Sequence, residues 1–233
     1  MIRGVRIKTG WEVSPPVELW HRPLGPGWSS FAVGGDIFYT QEQRGDDEIV
    51  AAYRLSTGEP IWRHRDQARF YESNGGAGPR ATPTLRDGRV YTFGATGILN
   101  VLNAGDGSVI WSRNVVADSE ARMPGWGFAG SPLVIGEVVV VAAGGQLVGY
   151  DLTTGQMLWV AVGGGGYSSP HRVTLDGVTQ VVFISGAGAV GVDPTDGTLL
   201  WEPPYPGAPI VQPAVTANGD LLLSTGGDTG GRA

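Results

Sequence analysis

A Gly-x-x-x-Trp pattern recurs along the chain and restricts the fold more than any other feature of the sequence. It ends four successive units, and its tryptophans follow one another at intervals of 49, 48 and 42 residues, at Gly58/Trp62, Gly107/Trp111, Gly155/Trp159 and Gly197/Trp201. A period of that length is typical of stacked supersecondary units. The repeat therefore predicts a scaffold of similar modules, and it says much less about chemistry.

Within each unit, short β-prone segments alternate with glycine-rich turns. The second unit shows this most clearly, with predicted strands at Ala81–Leu85, Arg89–Gly94, Ile98–Asn103 and Ser108–Asn114. Four antiparallel strands in about 40 to 50 residues make one propeller blade. The 39 glycines and 16 prolines also suit strands joined by tight turns. The sequence thus predicts an all-β protein, a β-propeller of four-stranded antiparallel blades.

We expect a single, partial propeller domain over residues 1–233, with about four and a half blades. The first blade carries a predicted insertion at Gln41–Asp47. A closed five-bladed ring is conceivable if Val5–Lys8 completes the last sheet, whereas an arc of a larger ring leaves that sheet open. The predicted blades are 28–66, 80–116, 129–162, 167–203 and 210–233, the last one incomplete.

The repeated tryptophans are interpreted as packing residues between neighbouring blades. Burying an indole removes roughly 150–250 Å² from water, so replacing Trp111 or Trp159 with alanine should cost about 3–5 kcal/mol. The turns before these tryptophans contain Asp151, Asp193 or Asn103, with Arg54 in the first unit. An aspartate there can cap the turn by accepting backbone N–H groups, so metal ligation by these residues is not expected.

Charge and composition exclude several classes of partner. The net charge is −6 and there is no long run of lysine and arginine, so binding to nucleic acid or to an anionic membrane surface is not expected. The absence of cysteine excludes disulfides and a thiol nucleophile within this chain. No signal peptide is visible in Met1–Val13, and the apolar run Leu133–Ala143 is too short for direct membrane insertion.

No catalytic or metal-binding constellation stands out. Only three histidines occur, no serine lies in a Gly-x-Ser-x-Gly elbow, and strand-forming sequence follows both Gly-x-Gly-x-x-Gly matches, Gly125–Gly130 and Gly186–Gly191. These glycines are therefore assigned to turns. The acidic cluster Asp46-Asp47-Glu48 is predicted to be a solvated loop tip, because it lacks the alternating ligand spacing of a calcium loop.

Alignment of the units suggests a binding site. The residue three positions before the proline that starts a unit, or before Phe31 in the first unit, is Trp28, Arg80, Ala129, Tyr167 or Ile210. These residues should approach the propeller axis, and tryptophan, tyrosine and arginine are enriched at binding hot spots. The alternative is that Arg80 pairs with Glu42 or Glu72 and only closes the channel. Further candidates on the same face are Gln41, Glu42, Arg44 and, as a wall residue, His171.

The unit Asp-x-x-Thr-Gly-x-x-x-Trp, preceded by an aliphatic strand and followed by Ser/Thr-Pro, resembles the pyrroloquinoline-quinone (PQQ)-like β-propeller repeat. That repeat occurs in quinoprotein alcohol dehydrogenases and in outer-membrane assembly lipoproteins of the BamB type, and the resemblance covers residues 17–226. It implies a ring of seven or eight blades, of which this chain would form an arc completed by further blades. It also implies a periplasmic or cell-envelope location.

The resemblance leaves two functions open. The favoured one is a non-catalytic scaffold without a cofactor that binds a protein, peptide or glycan on its loop face. The alternative is a quinoprotein dehydrogenase for alcohols or sugars, which would hold PQQ and Ca²⁺ through Glu, Asn and Asp ligands. Such enzymes often carry two adjacent cysteines, which this chain lacks, and no Glu/Asn/Asp set in it matches the ligands residue by residue.

Overall fold

The protein is described by a computed structural model covering residues 10–162, 166–184, 188–202, 210–216, 219–224 and 231–232. Its first sheet contains four antiparallel strands in chain order, β1 (Ala32–Gly34), β2 (Ile37–Arg44), β3 (Asp47–Arg54) and β4 (Pro60–Asp66). A short hairpin of β5 (Tyr71–Glu72) and β6 (Gly76–Ala77) then leads to the second unit.

Three further four-stranded sheets repeat this plan. The second contains β7 (Thr84–Arg86), β8 (Arg89–Phe93), β9 (Ile98–Asn103) and β10 (Val109–Asn114), and is followed by the short helix α1 (Val115–Ser119). The third contains β11 (Leu133–Ile135), β12 (Val138–Ala143), β13 (Gln146–Asp151) and β14 (Met157–Val162). The fourth contains β15 (His171–Leu175), β16 (Val178–Ile184), β17 (Ala189–Val192) and β18 (Leu199–Trp201).

The last described strands are β19 (Ala214–Val215), β20 (Leu221–Ser224) and β21 (Gly231–Arg232), which form a three-stranded sheet. The all-β fold of four-stranded antiparallel sheets agrees with the sequence prediction. Val5–Lys8, proposed above as a possible closing strand, and Gly186 of the second glycine motif lie outside the described residues. The division into blades of one larger ring therefore stays a prediction.

The predicted insertion of the first sheet is present, and it forms part of the strands. The segment Gln41–Asp47 is not a loop insertion, because β2 and β3 pair residue by residue from Ile37↔Arg54 out to Arg44↔Asp47. The extra residues lengthen the hairpin instead. The first three of these residues, Gln41, Glu42 and Gln43, are buried, whereas Arg44, Gly45 and Asp46 are exposed.

The apolar core lies between the sheets. Aliphatic and aromatic side chains of alternate strand positions meet from neighbouring sheets, since a single sheet cannot cover both of its faces. The largest cluster joins the second and third sheets, and includes Tyr91, Phe93, Trp111, Val139 and Tyr150. A similar cluster joins the third and fourth sheets around Trp159.

Three of the four repeated tryptophans lie on a glycine of the following sheet. A Cβ atom built on Gly107 would lie 2.5 Å from Trp62, one on Gly155 would lie 2.6 Å from Trp111, and one on Gly197 would lie 2.7 Å from Trp159. The indole Nε1 donates to the backbone carbonyl three residues before that glycine, at Ala104, Leu152 and Pro194 respectively (2.9, 3.1 and 3.2 Å). Trp201 is partly buried against Leu223 of the last sheet.

A fourth tryptophan, outside the repeated motif, makes the same contact and was missed from the sequence. Trp20 lies on Gly58, where an added Cβ would lie 2.5 Å from the ring, and its Nε1 donates to the Leu55 carbonyl at 3.0 Å. No glycine stands four residues before Trp20, so the motif does not find it. The interval of 42 residues to Trp62, which equals the interval from Trp159 to Trp201, is the signal that could have found it.

The acidic residues of the turns are capping groups. The Asp151 Oδ1 atom accepts from the backbone N–H groups of Thr153 (3.1 Å) and Thr154 (2.7 Å), and Asp193 accepts from Thr195 in the same way (2.8 Å). In the first unit, where Arg54 replaces the aspartate, Asp36 caps the turn by accepting from the Ser56 N–H (3.1 Å). Local hydrogen bonding thus explains these residues.

Replacing Gly155 with alanine should lower the free energy of unfolding by about 3 kcal/mol. The φ angle of Gly155 is +67°, which strains an alanine by about 1–2 kcal/mol, and the new methyl group would overlap Trp111, at a further cost of about 1–3 kcal/mol. Gly88→Ala is the matched control, because φ is +71° there and an added Cβ meets no atom within 4 Å. Urea unfolding of both variants measures the difference, and equal losses would contradict the docking of Trp111 on Gly155.

Candidate functional site

A chain of hydrogen bonds links the starts of the four units near their innermost strands. The backbone N–H of Ser30 donates to the hydroxyl of Thr82 (3.1 Å), that of Thr82 to Ser131 (3.0 Å), and that of Ser131 to Ser169 (2.9 Å). The last three residues each precede a proline. The repeated Ser/Thr-Pro pair thus ties each unit to the next one and brings the unit starts together.

A cavity of about 500 Å³ lies beside this chain of hydrogen bonds. Each unit contributes the residue two positions before its Ser/Thr, or the equivalent residue in the last unit, so the structure brings together all five aligned residues named above. The lining consists of Trp28, Glu72, Asn74, Gly75, Arg80, Trp126, Ala129, Tyr167 and Ile210. A volume of this size is ordinary for a binding pocket.

Trp28 provides an exposed aromatic surface that is held in place. Its side chain donates through Nε1 to the Gly75 carbonyl at 2.7 Å, yet the residue is 68% exposed. Trp126, which is 43% exposed, lies against Tyr167 with ring centroids 5.0 Å apart. The Tyr167 hydroxyl accepts from the Trp126 backbone N–H at 3.4 Å. Sequence reasoning missed Trp126, because it lies in the connection before the third unit rather than at an aligned position.

Arg80 pairs with Glu72, one of the two partners considered for it, at 3.3 Å. All five of its N–H donors are engaged, at Glu72 and at the carbonyls of Gly75, Gly76, Ala77 and Trp126. Burial lowers the pKa of the Arg80 guanidinium, and the charge of Glu72 opposes that shift. The guanidinium therefore fastens the β5–β6 hairpin to the second unit and leaves no N–H free for a ligand.

The β5–β6 hairpin forms one wall of the cavity. The Glu72 carboxylate accepts from the backbone N–H groups of Asn74 (2.7 Å) and Gly75, which fixes the turn, and Gly76 takes a φ of +74°. The Asn74 side-chain amide has no hydrogen-bond partner among the described residues. This hairpin was not predicted, since its strands contain only two residues each.

Four other candidate residues do not line the cavity. Gln41 is buried and donates to the Ala81 carbonyl (2.7 Å). Glu42, only 1% exposed, accepts two hydrogen bonds from Arg44 (both 2.9 Å) and one from the Gly25 N–H. His171 begins β15 half-buried, and burial lowers its pKa. The lengthened hairpin turns Gln41 and Glu42 into the protein, and the exposed Arg44 pairs with Glu42 at the end of β2.

Glu48 departs from the predicted solvated loop tip. Its side chain is 4% exposed, because the lengthened hairpin lies against the second sheet, where Oε1 accepts from the Ala95 N–H at 3.1 Å and Oε2 has no hydrogen-bond partner. Asp66, opposite Glu48 on β4, accepts from Asn100 (2.6 Å) and contacts His64 (3.2 Å). Burial raises the pKa of Glu48 to about 7, with a smaller contribution from the Asp66 charge, while the Ala95 hydrogen bond and the Arg80 charge oppose the shift.

Stability should fall as the pH rises through the titration of Glu48. Below its ordinary pKa of 4.5 the group is neutral in both states, whereas above about 7 the folded protein carries the unfavourable buried charge. At 1.36 kcal/mol per pH unit the full effect is about 3 kcal/mol. Glu48→Gln should therefore stabilise the protein at pH 8 and have little effect at pH 4. Urea unfolding at both pH values tests this, with the exposed Glu137→Gln as control, and an equal effect at both would contradict it.

The cavity does not suit PQQ, which is a planar cofactor with several carboxylates. Several carboxylates in one pocket need several cationic or N–H partners. Arg80, the one cation of the described lining, has none of its donors free, and the Asn74 amide is a neutral side-chain N–H group there without a partner. Within the described ranges, no group of three or more histidine, aspartate and glutamate side chains is placed to hold a metal ion. No helix of the described part of the chain has the length and apolar character needed to cross a bilayer.

Comparison with solved structures defines the class of protein. BamB from Moraxella catarrhalis superposes with a TM-score of 0.58 at 24% identity, over 76% of this chain and 52% of that one. A europium-containing methanol dehydrogenase superposes with a TM-score of 0.60 at 14% identity, over 80% and 42%. Both likenesses show the fold alone, and together with the stacked sheets they identify a β-propeller.

The sequence places the chain in a particular family. The family model described as outer membrane protein assembly factor BamB matches residues 8–159 and 46–225, so the chain belongs to that family. The assembly factor BamB of Shewanella oneidensis is 34% identical over 165 residues, which cover 65% of this chain and 38% of that protein. BamB of Yersinia pestis is 24% identical over 204 residues, covering 80% and 48%. The chain thus spans less than half the length of both relatives.

Proposed function

We propose that this chain is part of a non-catalytic BamB-type scaffold in the cell envelope, which binds a protein partner through the cavity and its aromatic rim. The observation that carries the proposal is that the cavity presents exposed indole rings, while its arginine, Arg80, has all of its N–H donors bound within the protein. Trp28 and Trp126 expose apolar ring surface to solvent. The polar groups of Trp28 and Arg80 form hydrogen bonds to the backbone of the cavity wall.

The family supports the envelope location and the assembly role. The relatives that match are named outer membrane protein assembly factors, and an assembly factor acts by holding other proteins. Fixed aromatic side chains are well suited to that role, because a rigid ring loses little conformational freedom when a partner covers it. The proposal includes no cofactor. Under the PQQ-dependent alternative, the described cavity lining would have to hold the cofactor without a set of free donors.

Partner binding should depend on the two exposed indoles of the cavity. We expect the double variant Trp28→Ala/Trp126→Ala of the complete protein to lose at least about tenfold in affinity for its envelope partner, since hot-spot aromatics each contribute about 2 kcal/mol or more. The measurement is co-purification from envelope extracts, followed by titration of the identified partner. Trp11→Ala is the control, because Trp11 is 54% exposed and lies outside the cavity.

Two results would overturn the proposal. The first is that the Trp28→Ala/Trp126→Ala variant still binds the partner, whereas the Trp11→Ala variant binds it more weakly. The second is enzymatic activity: complete protein supplied with PQQ and Ca²⁺ should show no dye-linked oxidation of alcohols or sugars and should retain no quinone absorbance after dialysis. Oxidation that depends on both additions would establish the quinoprotein alternative.

A further inference from the structure

Most side-chain polar groups of the described cavity wall have partners within the protein itself. Arg80 donates all five of its N–H groups, and both Glu72 oxygens accept from the hairpin backbone. Trp28 donates its only side-chain N–H to the Gly75 carbonyl, and the Tyr167 hydroxyl accepts from Trp126. Within the described lining, the Asn74 side-chain amide has no hydrogen-bond partner, and the Tyr167 O–H group has no acceptor.

This distribution decides which ligands the cavity can hold. A saccharide needs several hydrogen bonds for its hydroxyl groups, and a buried polar group without a partner costs roughly 1–3 kcal/mol in proteins. A carboxylate or phosphate is held best by a free cation, and the Asn74 amide supplies only neutral N–H donors. An ammonium group needs an uncompensated negative charge. Here the Arg80 and Glu72 charges compensate each other at 3.3 Å. Binding a saccharide or a charged group in the cavity would therefore cost free energy.

The remaining feature of the wall is aromatic surface. Trp28 faces solvent with its indole fixed by the bond to Gly75, and the Trp126 and Tyr167 rings are already in contact with each other, inclined by 32°. A further ring can pack on such a surface in offset or edge-to-face geometry, which contributes beyond simple area burial. The single free amide of Asn74 can serve one backbone group of a peptide.

We infer that the cavity is a specificity pocket for an uncharged aromatic side chain, presented by the polypeptide that the proposed function places on this face. The inference rests on that proposed function and adds the chemistry of the recognised group. The ring packs between Trp28 and the Trp126–Tyr167 pair, Asn74 binds the peptide backbone beside it, and Arg80 with Glu72 maintains the wall.

Capped tripeptides of the form acetyl-Gly-X-Gly-amide test the inference directly on the complete protein. Binding is followed by ligand-observed NMR with X as Phe, Leu, Glu or Lys, and with methyl glucoside as a neutral saccharide. We expect the Phe peptide to bind at least about tenfold more tightly than the Glu and Lys peptides or the glucoside, and more tightly than the Leu peptide, because only an aromatic ring gains the stacking contribution.

Two separate variants keep the test independent of folding defects. Trp28→Ala and Trp126→Ala should each weaken binding of the Phe peptide about tenfold. Trp28→Phe should retain most of the binding, and Trp11→Ala should leave it unchanged. Unfolding midpoints show which variants are folded, and because Arg80 donates to the backbone carbonyl of Trp126, truncation of the Trp126 side chain keeps that acceptor in place.

The outcomes separate this inference from the proposed function. Equal binding of the Phe and Glu peptides, tighter binding of the glucoside, no saturable binding of the Phe peptide, or binding that survives both truncations in folded protein would each overturn the inference. If the full partner is still lost on truncation of the two indoles while the Phe peptide fails to bind, the proposed scaffold stands and the aromatic specificity falls.

Discussion

The contact between an indole and a bare glycine Cα is the interaction on which the architecture depends. It repeats from Trp20 on Gly58 to Trp159 on Gly197, each time with a hydrogen bond from the indole to the carbonyl three residues earlier. Each glycine meets two requirements at once, a positive φ in the turn and a surface flat enough for the ring. Because the same contact recurs, each sheet is placed on its neighbour in a similar orientation.

The cavity is a consequence of that repeated placement. Once the outer strands are fixed by indoles, the chain of Ser/Thr hydroxyls brings the unit starts together, and the residues two positions earlier meet around one space. The connection between the first and second units forms the β5–β6 hairpin, and Arg80 holds this hairpin through its guanidinium N–H groups. Polar side chains thus supply the rigidity of the wall, and aromatic side chains supply its surface.

Much of this could be predicted from sequence because turn chemistry and strand patterning act locally. The strand Ile98–Asn103 agrees with its predicted bounds, and the aligned residues Trp28, Arg80 and Tyr167 meet at one cavity. What sequence could not reveal depends on contacts between units. Glu48 is buried only because a hairpin longer than expected lies against the next sheet, and the choice of Glu72 over Glu42 depends on a hairpin too short to show a pattern.

The most direct test of the account is the exchange rate of the indole N–H protons, measured by ¹⁵N NMR on the complete protein. The N–H groups of Trp62, Trp111 and Trp159 are hydrogen-bonded at sheet junctions, so they should exchange only through cooperative unfolding, as slowly as the central strands. The exposed Trp11 should exchange without measurable protection. Fast exchange of the three junction indoles in otherwise folded protein would contradict the claim that they hold the sheets together.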